Sequence, residues 1–292
     1  MRVIYTYKQT KQGHHKGFTK RGIELMRLSV QSANRFYTTH VYCDKESAKL
    51  FKLNEIPFTE IVVVGWLDDY EFPNWGLAKL ETMKHQIEPY IHIDFDTIIT
   101  QELQVPNDNI IWGYAEVNFN SSARDGRLTH DLITYVNDNY LMIAKQYETY
   151  SEFNYLYVIN ASLVIVTDPY PIKDIIIELN NRTTNYKNII SDKMNMFIEQ
   201  FMFYQLIKNK NHITHSILSE SNYNDLNLFW MNEINNTYDT LDYFYNNRFF
   251  HWPQMNIFSE SDFNCIYLYL LDKLNLTDLR NDKIIVPNSA LI

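Results

Sequence analysis

Apolar runs and amphipathic stretches alternate along the first half of the chain. Val3–Tyr7 reads as an opening strand. Lys20–Phe36 predicts a helix, with Ile23, Met26, Leu28 and Val30 as its apolar positions. Thr39–Cys43 is a strand, Glu46–Leu53 a short helix, and Glu60–Val64 a strand that stops at Gly65. In Trp75–Ile87 the residues Leu77, Leu80, Met83 and Ile87 recur at helical spacing. Tyr90–Ile93 is nearly all apolar, as a parallel strand covered on both faces should be. Such alternation predicts a parallel sheet with helices on both faces, and function at the carboxyl ends of its strands. Further on, Ile110–Val117 and Tyr155–Val166 read as strands, and the polar stretch Asn118–Arg127 between them as a loop. Asn195–Lys208 predicts an amphipathic helix carrying Phe197, Ile198, Phe201, Met202, Leu206 and Ile207. The Asn- and Tyr-rich tail from Asn222 onward shows no clear period.

The chain has 292 residues, with no internal repeat and no low-complexity linker, and is read as one domain. Residues 1–100 are expected to form its nucleotide-binding half; 101–292 would form a sugar- and acceptor-binding half with a C-terminal extension. The net charge of −9 offers no broad field for nucleic acid or an anionic membrane. Cys43 and Cys265 match no zinc spacing and are expected to be buried free thiols, as in a reducing compartment. No stretch has the length and apolarity of a membrane span, and the first residues lack a signal-peptide plan, so a cytoplasmic protein is expected.

Glycine changes the picture by its scarcity. There are seven, and none follows Gly126. No Walker A loop and no G-x-G-x-x-G is present, so the common glycine cradles for phosphate are excluded. A bound nucleotide would need another source of positive charge. Asp94-Phe95-Asp96, where the apolar strand Tyr90–Ile93 ends, is the candidate source. Two carboxylates at i and i+2 beside a strand end can share a hard divalent cation that bridges two phosphates. The alternative is a chance Asp-x-Asp that only ends a strand.

The apolar strand, the Asp-x-Asp and the following Thr97-Ile98-Ile99 resemble the metal motif of GT-A-fold glycosyltransferases. Trp75-Gly-Leu-Ala-Lys79-Leu before it, and Pro89-Tyr-Ile-His-Ile-Asp94, strengthen the likeness. The resemblance implies a GT-A-like Rossmann-type mixed sheet, mostly parallel, with helices on both faces. It implies a UDP-sugar donor, Mn²⁺ or Mg²⁺ on Asp94 and Asp96, and Phe95 beside them in the donor site. Thr6, Tyr7 and Lys8 would lie at the uridine end, and Lys79 near the donor phosphates; otherwise Lys79 is an exposed helix cation. Asn160-Ala-Ser162 is similar to an Asn-Ala-Gly strand that faces the sugars, with Ser162 where glycine is usual. Glu199-Gln200 resembles an acidic-Gln pair near the reacting carbon; otherwise it is an exposed helix face. His251 is the third metal ligand that the resemblance implies, with His212 and His215 as alternatives; no Lys follows it within the next stretch, where the family often has one.

The expected activity is transfer of a hexose from a UDP-sugar to a glycan, protein or small-molecule acceptor, with homo-oligomerisation left open. One rival is a haloacid-dehalogenase-type phosphatase, whose Asp-x-Asp follows an apolar strand. That motif belongs on a first strand and needs a later glycine-bearing acidic turn. The other rival is a GT-A-like binding module without turnover.

Overall fold

The computed structural model describes residues 1–8, 19–68, 75–105, 110–118, 156–183, 197–209, 214–216, 249–251, 260–281 and 284. Strand β1 (Arg2–Tyr7) turns Val3, Tyr5 and Tyr7 to one side. There they meet Ile23, Met26, Val30 and Ala33 of helix α1 (Lys20–Asn34), and Ala48 and Phe51 of α2 (Lys45–Leu53). Both helices start on side-chain caps. Thr19 Oγ1 accepts the Gly22 N–H at 3.0 Å, and Asp44 accepts that of Ser47 at 2.9 Å.

β1 pairs in parallel with β2 (Thr38–Cys43) and with β4 (Tyr90–Ile93), and β2 pairs in parallel with β3 (Glu60–Val63). Strand β7 (Leu156–Val166) runs antiparallel to both β4 and β6 (Ile110–Asn118), and β8 (Thr214–Ser216) is parallel to β6. The order β3-β2-β1-β4-β7-β6-β8 makes a mixed, mostly parallel sheet. After β1 the chain moves outward to β2 and β3, then returns to β4 on the other side of β1. The carboxyl ends of β1 and β4 therefore flank a topological switch point, the usual crevice of open α/β sheets.

Beyond β3 come a single turn, α3 (Gly65–Asp68), and helix α4 (Trp75–Lys84). α4 packs on β1 and on α5 (Pro169–Thr183), opposite the α1 side, so helices cover both faces. A π-helical turn, Phe197–Met202, leads into α6 (Phe203–Asn209) and packs against α4 and β7. A separate ribbon pairs β5 (Thr97–Ile99) with β9 (Phe249–His251). Two serines of α1 fasten it: Ser29 Oγ donates to the Thr97 carbonyl at 2.6 Å, and Ser32 Oγ accepts the Ile99 N–H at 3.0 Å. Helix α7 (Glu260–Leu274) lays Phe263, Ile266 and Leu270 on Leu25, Leu28 and Ile98. It ends at Asn275, whose φ of 56° allows the Leu276 N–H to reach the Leu271 carbonyl at 2.8 Å.

Several boundaries differ from the sequence expectation. The first helix stops at Asn34 rather than Phe36, because the N–H groups of Phe36 and Tyr37 both fold back onto the Ala33 carbonyl. α4 stops at Lys84 rather than Ile87; His85 and Gln86 close tighter i→i−3 bonds and Ile87 projects into solvent. The stretch expected as one regular helix over Asn195–Lys208 is a π turn followed by an α-helix. Helices α5 and α7 were not foreseen. Cys43 is buried as expected, but Cys265 is exposed, because it falls on the outer side of α7. Residues 119–127 of the expected loop, residues 195 and 196, His212, and most of the tail lie outside the described residues.

Candidate active site

β4 ends in a turn. The Thr97 N–H closes onto the Asp94 carbonyl at 3.0 Å, leaving Phe95 and Asp96 at its centre. The neighbouring strand β7 anchors this turn from the side. The Ser162 carbonyl accepts the Asp94 N–H at 2.8 Å and the Thr97 hydroxyl at 3.2 Å. Phe95 supplies the remaining anchor, stacking on Tyr5 with ring centroids 4.8 Å apart and meeting Tyr7 edge-on at 5.8 Å. The segment Asn160–Ser162 thus runs beside the Asp-x-Asp, with Asn160 in register with Tyr114.

Lys79 lies at the centre of the site. Its Nζ is 2.8 Å from Asp94 Oδ1 and 2.9 Å from Oδ2, donates to the Ala161 carbonyl at 3.1 Å, and forms an ion pair with Glu199. Lys79 and Glu199 are both buried, with side chains only 5% and 1% exposed, so neither is the exposed helix residue of the alternative readings. Burial acts against the Lys79 ammonium, but the Asp94 and Glu199 carboxylates outweigh it and hold the pKa above its ordinary range. Burial pushes the Glu199 carboxyl up, the Lys79 cation opposes that, and the negative charges of Asp94 and Asp96 reinforce it, to about 7.

The close approach of Glu199 to α4 depends on Gly76. A Cβ there would stand 3.0 Å from Glu199 Oε2 and 3.3 Å from its Cβ. Gln200, the next residue of the π turn, is half-buried.

The β1 end contributes differently. Thr6 Oγ1 shares a 3.0 Å hydrogen bond with His92 Nε2. Burial, and then the Lys79 charge, hold His92 well below its ordinary pKa, so the ring is neutral. Lys8 donates to the Asp68 carbonyl at 3.4 Å and stands 3.9 Å from Asp44. The Tyr7 ring is buried in the core against Phe51 and Phe95. His251 is placed by backbone register directly across from Thr97, one residue beyond Asp96. His215 lies in β8 opposite Ile111, across the sheet beyond β7 and β6.

The structure therefore gathers Thr6, Lys79, Asp94, Asp96 and Glu199 around the carboxyl end of β4, with the β9 backbone alongside. Gly76 and His92 were not singled out by sequence reasoning. A signal for Gly76 was available: it is one of only two glycines, with Gly22, that fall inside predicted helices, where glycine costs stability.

Among the described residues, no group of three His, Cys, Asp or Glu side chains stands ready to hold a metal ion. The donor set nevertheless fits a hard divalent cation in kind. Asp94 and Asp96, two residues apart at the end of β4, offer the carboxylate oxygens that such a cation takes.

A model of a protein family matches residues 1–252 of the sequence. The chain belongs to the family of unknown function DUF6734. No curated protein matches this DUF6734 member. Similar solved structures include the apo form of the glycosyltransferase GlyE from Streptococcus pneumoniae TIGR4, at 12% identity and TM-score 0.44, covering 98% of this chain and 65% of that one. Mouse xyloside xylosyltransferase 1, also in its apo form, shows 10% identity and TM-score 0.42, over 88% of this chain and 99% of that one. PaToxG glycosyltransferase shows 12% identity and TM-score 0.42, over 94% and 85%. The DUF6734 chain thus spans 65% of the GlyE chain. Among its described residues, no helix is long and apolar enough to cross a membrane.

Proposed function

We propose that this protein is a metal-dependent glycosyltransferase of GT-A-like fold that uses a UDP-sugar. The observation that carries the reading is the placement of Asp94 and Asp96 at the carboxyl end of β4, across the switch point from Thr6 and Lys8. With no glycine cradle in the sequence, a nucleotide diphosphate there needs a cation. In this reading Asp94 and Asp96 hold Mn²⁺ or Mg²⁺, with His251 as the further ligand. The bound ion would offset charge on the departing diphosphate. Thr6 and Lys8 seat the nucleoside, with Thr6 oriented by the neutral His92. Gln200 and Asn160 face the sugars, and the acceptor is a glycan, protein or small molecule.

The dehalogenase-type alternative places its acidic pair on the first strand of a sheet. Here the pair follows the fourth strand, which has an antiparallel neighbour in β7.

Calorimetric titration with UDP, with and without Mn²⁺, tests the proposal. Binding is expected only with the metal, followed by slow metal-dependent hydrolysis of one member of a UDP-sugar panel. Asp96→Asn should abolish that binding while leaving the melting temperature near that of the parent. Metal-dependent UDP binding that survives Asp96→Ala would remove the site assignment.

A further inference from the structure

Four separated segments meet at one ammonium group. α4 supplies Lys79 itself, the end of β4 supplies Asp94, β7 supplies the Ala161 carbonyl, and the π turn supplies Glu199. Lys79 lies against both oxygens of Asp94, so its position limits the ways that carboxylate can rotate. Glu199 is buried among the described residues. Its place is nonetheless prepared. The backbone widens into a π turn at this point, and α4 carries a glycine where a Cβ would crowd the Glu199 carboxylate at 3.0 Å. A residue buried in such a place, against the Lys79 ammonium that also contacts Asp94, has a role toward that cation.

We infer that Glu199 is a positioning residue that acts through Lys79: it holds the ammonium against Asp94 and so presents the Asp94 carboxylate to the cation that binds the nucleotide. Gly76 is the gap that lets Glu199 reach it. The inference rests on the reading of Asp94 as a cation ligand. It departs from the expectation, drawn from resemblance, that Glu199 works at the reacting carbon. In this arrangement Gln200, next along the turn and half-buried, is the member of the pair that faces the sugar.

The test is a comparison of Glu199→Gln in two backgrounds, read by titration with UDP and Mn²⁺. In the parent protein Glu199→Gln should weaken Mn²⁺-dependent UDP binding by about ten- to a hundredfold, the usual cost of losing a partner behind a metal ligand. In a Lys79→Met background the same change should cost nothing further, because the route to Asp94 is already gone. An equal loss in both backgrounds, or none in the parent, overturns the inference. If Lys79→Met does not fold, Gly76→Ala serves instead. It displaces Glu199 while keeping every charge, and it should weaken Mn²⁺-dependent UDP binding in the same direction; unchanged affinity overturns the inference.

Melting temperatures without ligand separate this idea from the transferase reading. Glu199→Gln should lower the melting temperature of the parent, where it strips a buried lysine of one partner. In Lys79→Met it should raise it, where it removes an uncompensated buried carboxylate. That reversal, found in a protein that binds no UDP with Mn²⁺, keeps the contact and removes the transferase reading. Its absence removes the contact.

Discussion

Lys79 and Glu199 show what a single position can and cannot reveal. Sequence reasoning marked both, but spacing left each with an exposed alternative. A charged residue on a helix looks the same in sequence whether it faces water or a distant carboxylate. Burial decides, and burial of this pair is set by segments far apart in the chain. Glu199 also carries a pH signature. Its carboxyl is raised from 4.5 to about 7, by burial first, with Lys79 opposing and Asp94 and Asp96 assisting. A raised acid binds its proton more tightly in the folded chain than in the unfolded one. The stability it contributes is present below pH 4.5 and is lost as pH rises through about 7. Melts of the parent and of Glu199→Gln between pH 4.5 and 7.5 should therefore show the difference, parent minus variant, falling with pH; a flat difference contradicts this. The cysteines give a simpler check. Burial, and then the charges of Asp44 and Asp68, raise the Cys43 thiol to about 12, while Cys265 lies exposed. A thiol reagent at pH 8 should modify one cysteine per folded chain and both after denaturation.

At the level of elements, the strands and helices of the first half were legible because each has one dominant period. β4 is buried on both faces, and α1 places Ile23, Met26, Val30 and Ala33 toward the sheet. Two kinds of element escaped. α5 begins at Pro169 and went unread in the sequence, although proline is well accepted in a first helical turn. Its Ile172, Ile175, Ile176 and Leu179 carried the helical spacing all the same. The π turn has no sequence period of its own. It widens the helix where Glu199 must approach Gly76, and only the partner explains it. α2 offers a test at this scale. Its cap, Asp44, is buried and accepts both the N–H and the hydroxyl of Ser47. Asp44→Ala should destabilise the protein by about 1–2 kcal/mol, the upper part of the range for caps, measured by urea denaturation. No loss would mean that water replaces the carboxylate.

For the whole molecule, the mostly parallel sheet of the first half was legible in the alternation of strands and helices; the switch point between β1 and β4 comes from the strand order. The C-terminal part was not legible. Its Asn and Tyr content hides a helix, α7, whose Phe263, Ile266, Leu270 and Leu271 are almost wholly buried. The family match ends at residue 252, yet this later helix covers Leu25, Leu28 and Ile98, directly behind the ribbon that follows the Asp-x-Asp. Each such side chain contributes about 1.5–3 kcal/mol when removed from water. A chain ending at residue 259 should therefore melt far lower or fail to fold; a truncated protein with the parent melting temperature would show that the packing contributes little.

The serine fastening of β5 has a consequence for how a ligand arrives. The Asp94–Thr97 turn is tied on one side to the Ser162 carbonyl, and beyond it β5 is tied to the hydroxyls of Ser29 and Ser32. Its backbone is held in place before anything binds. Under the proposed function, little ordering entropy would be left to lose there on association, and encounter rather than rearrangement should set the speed of binding.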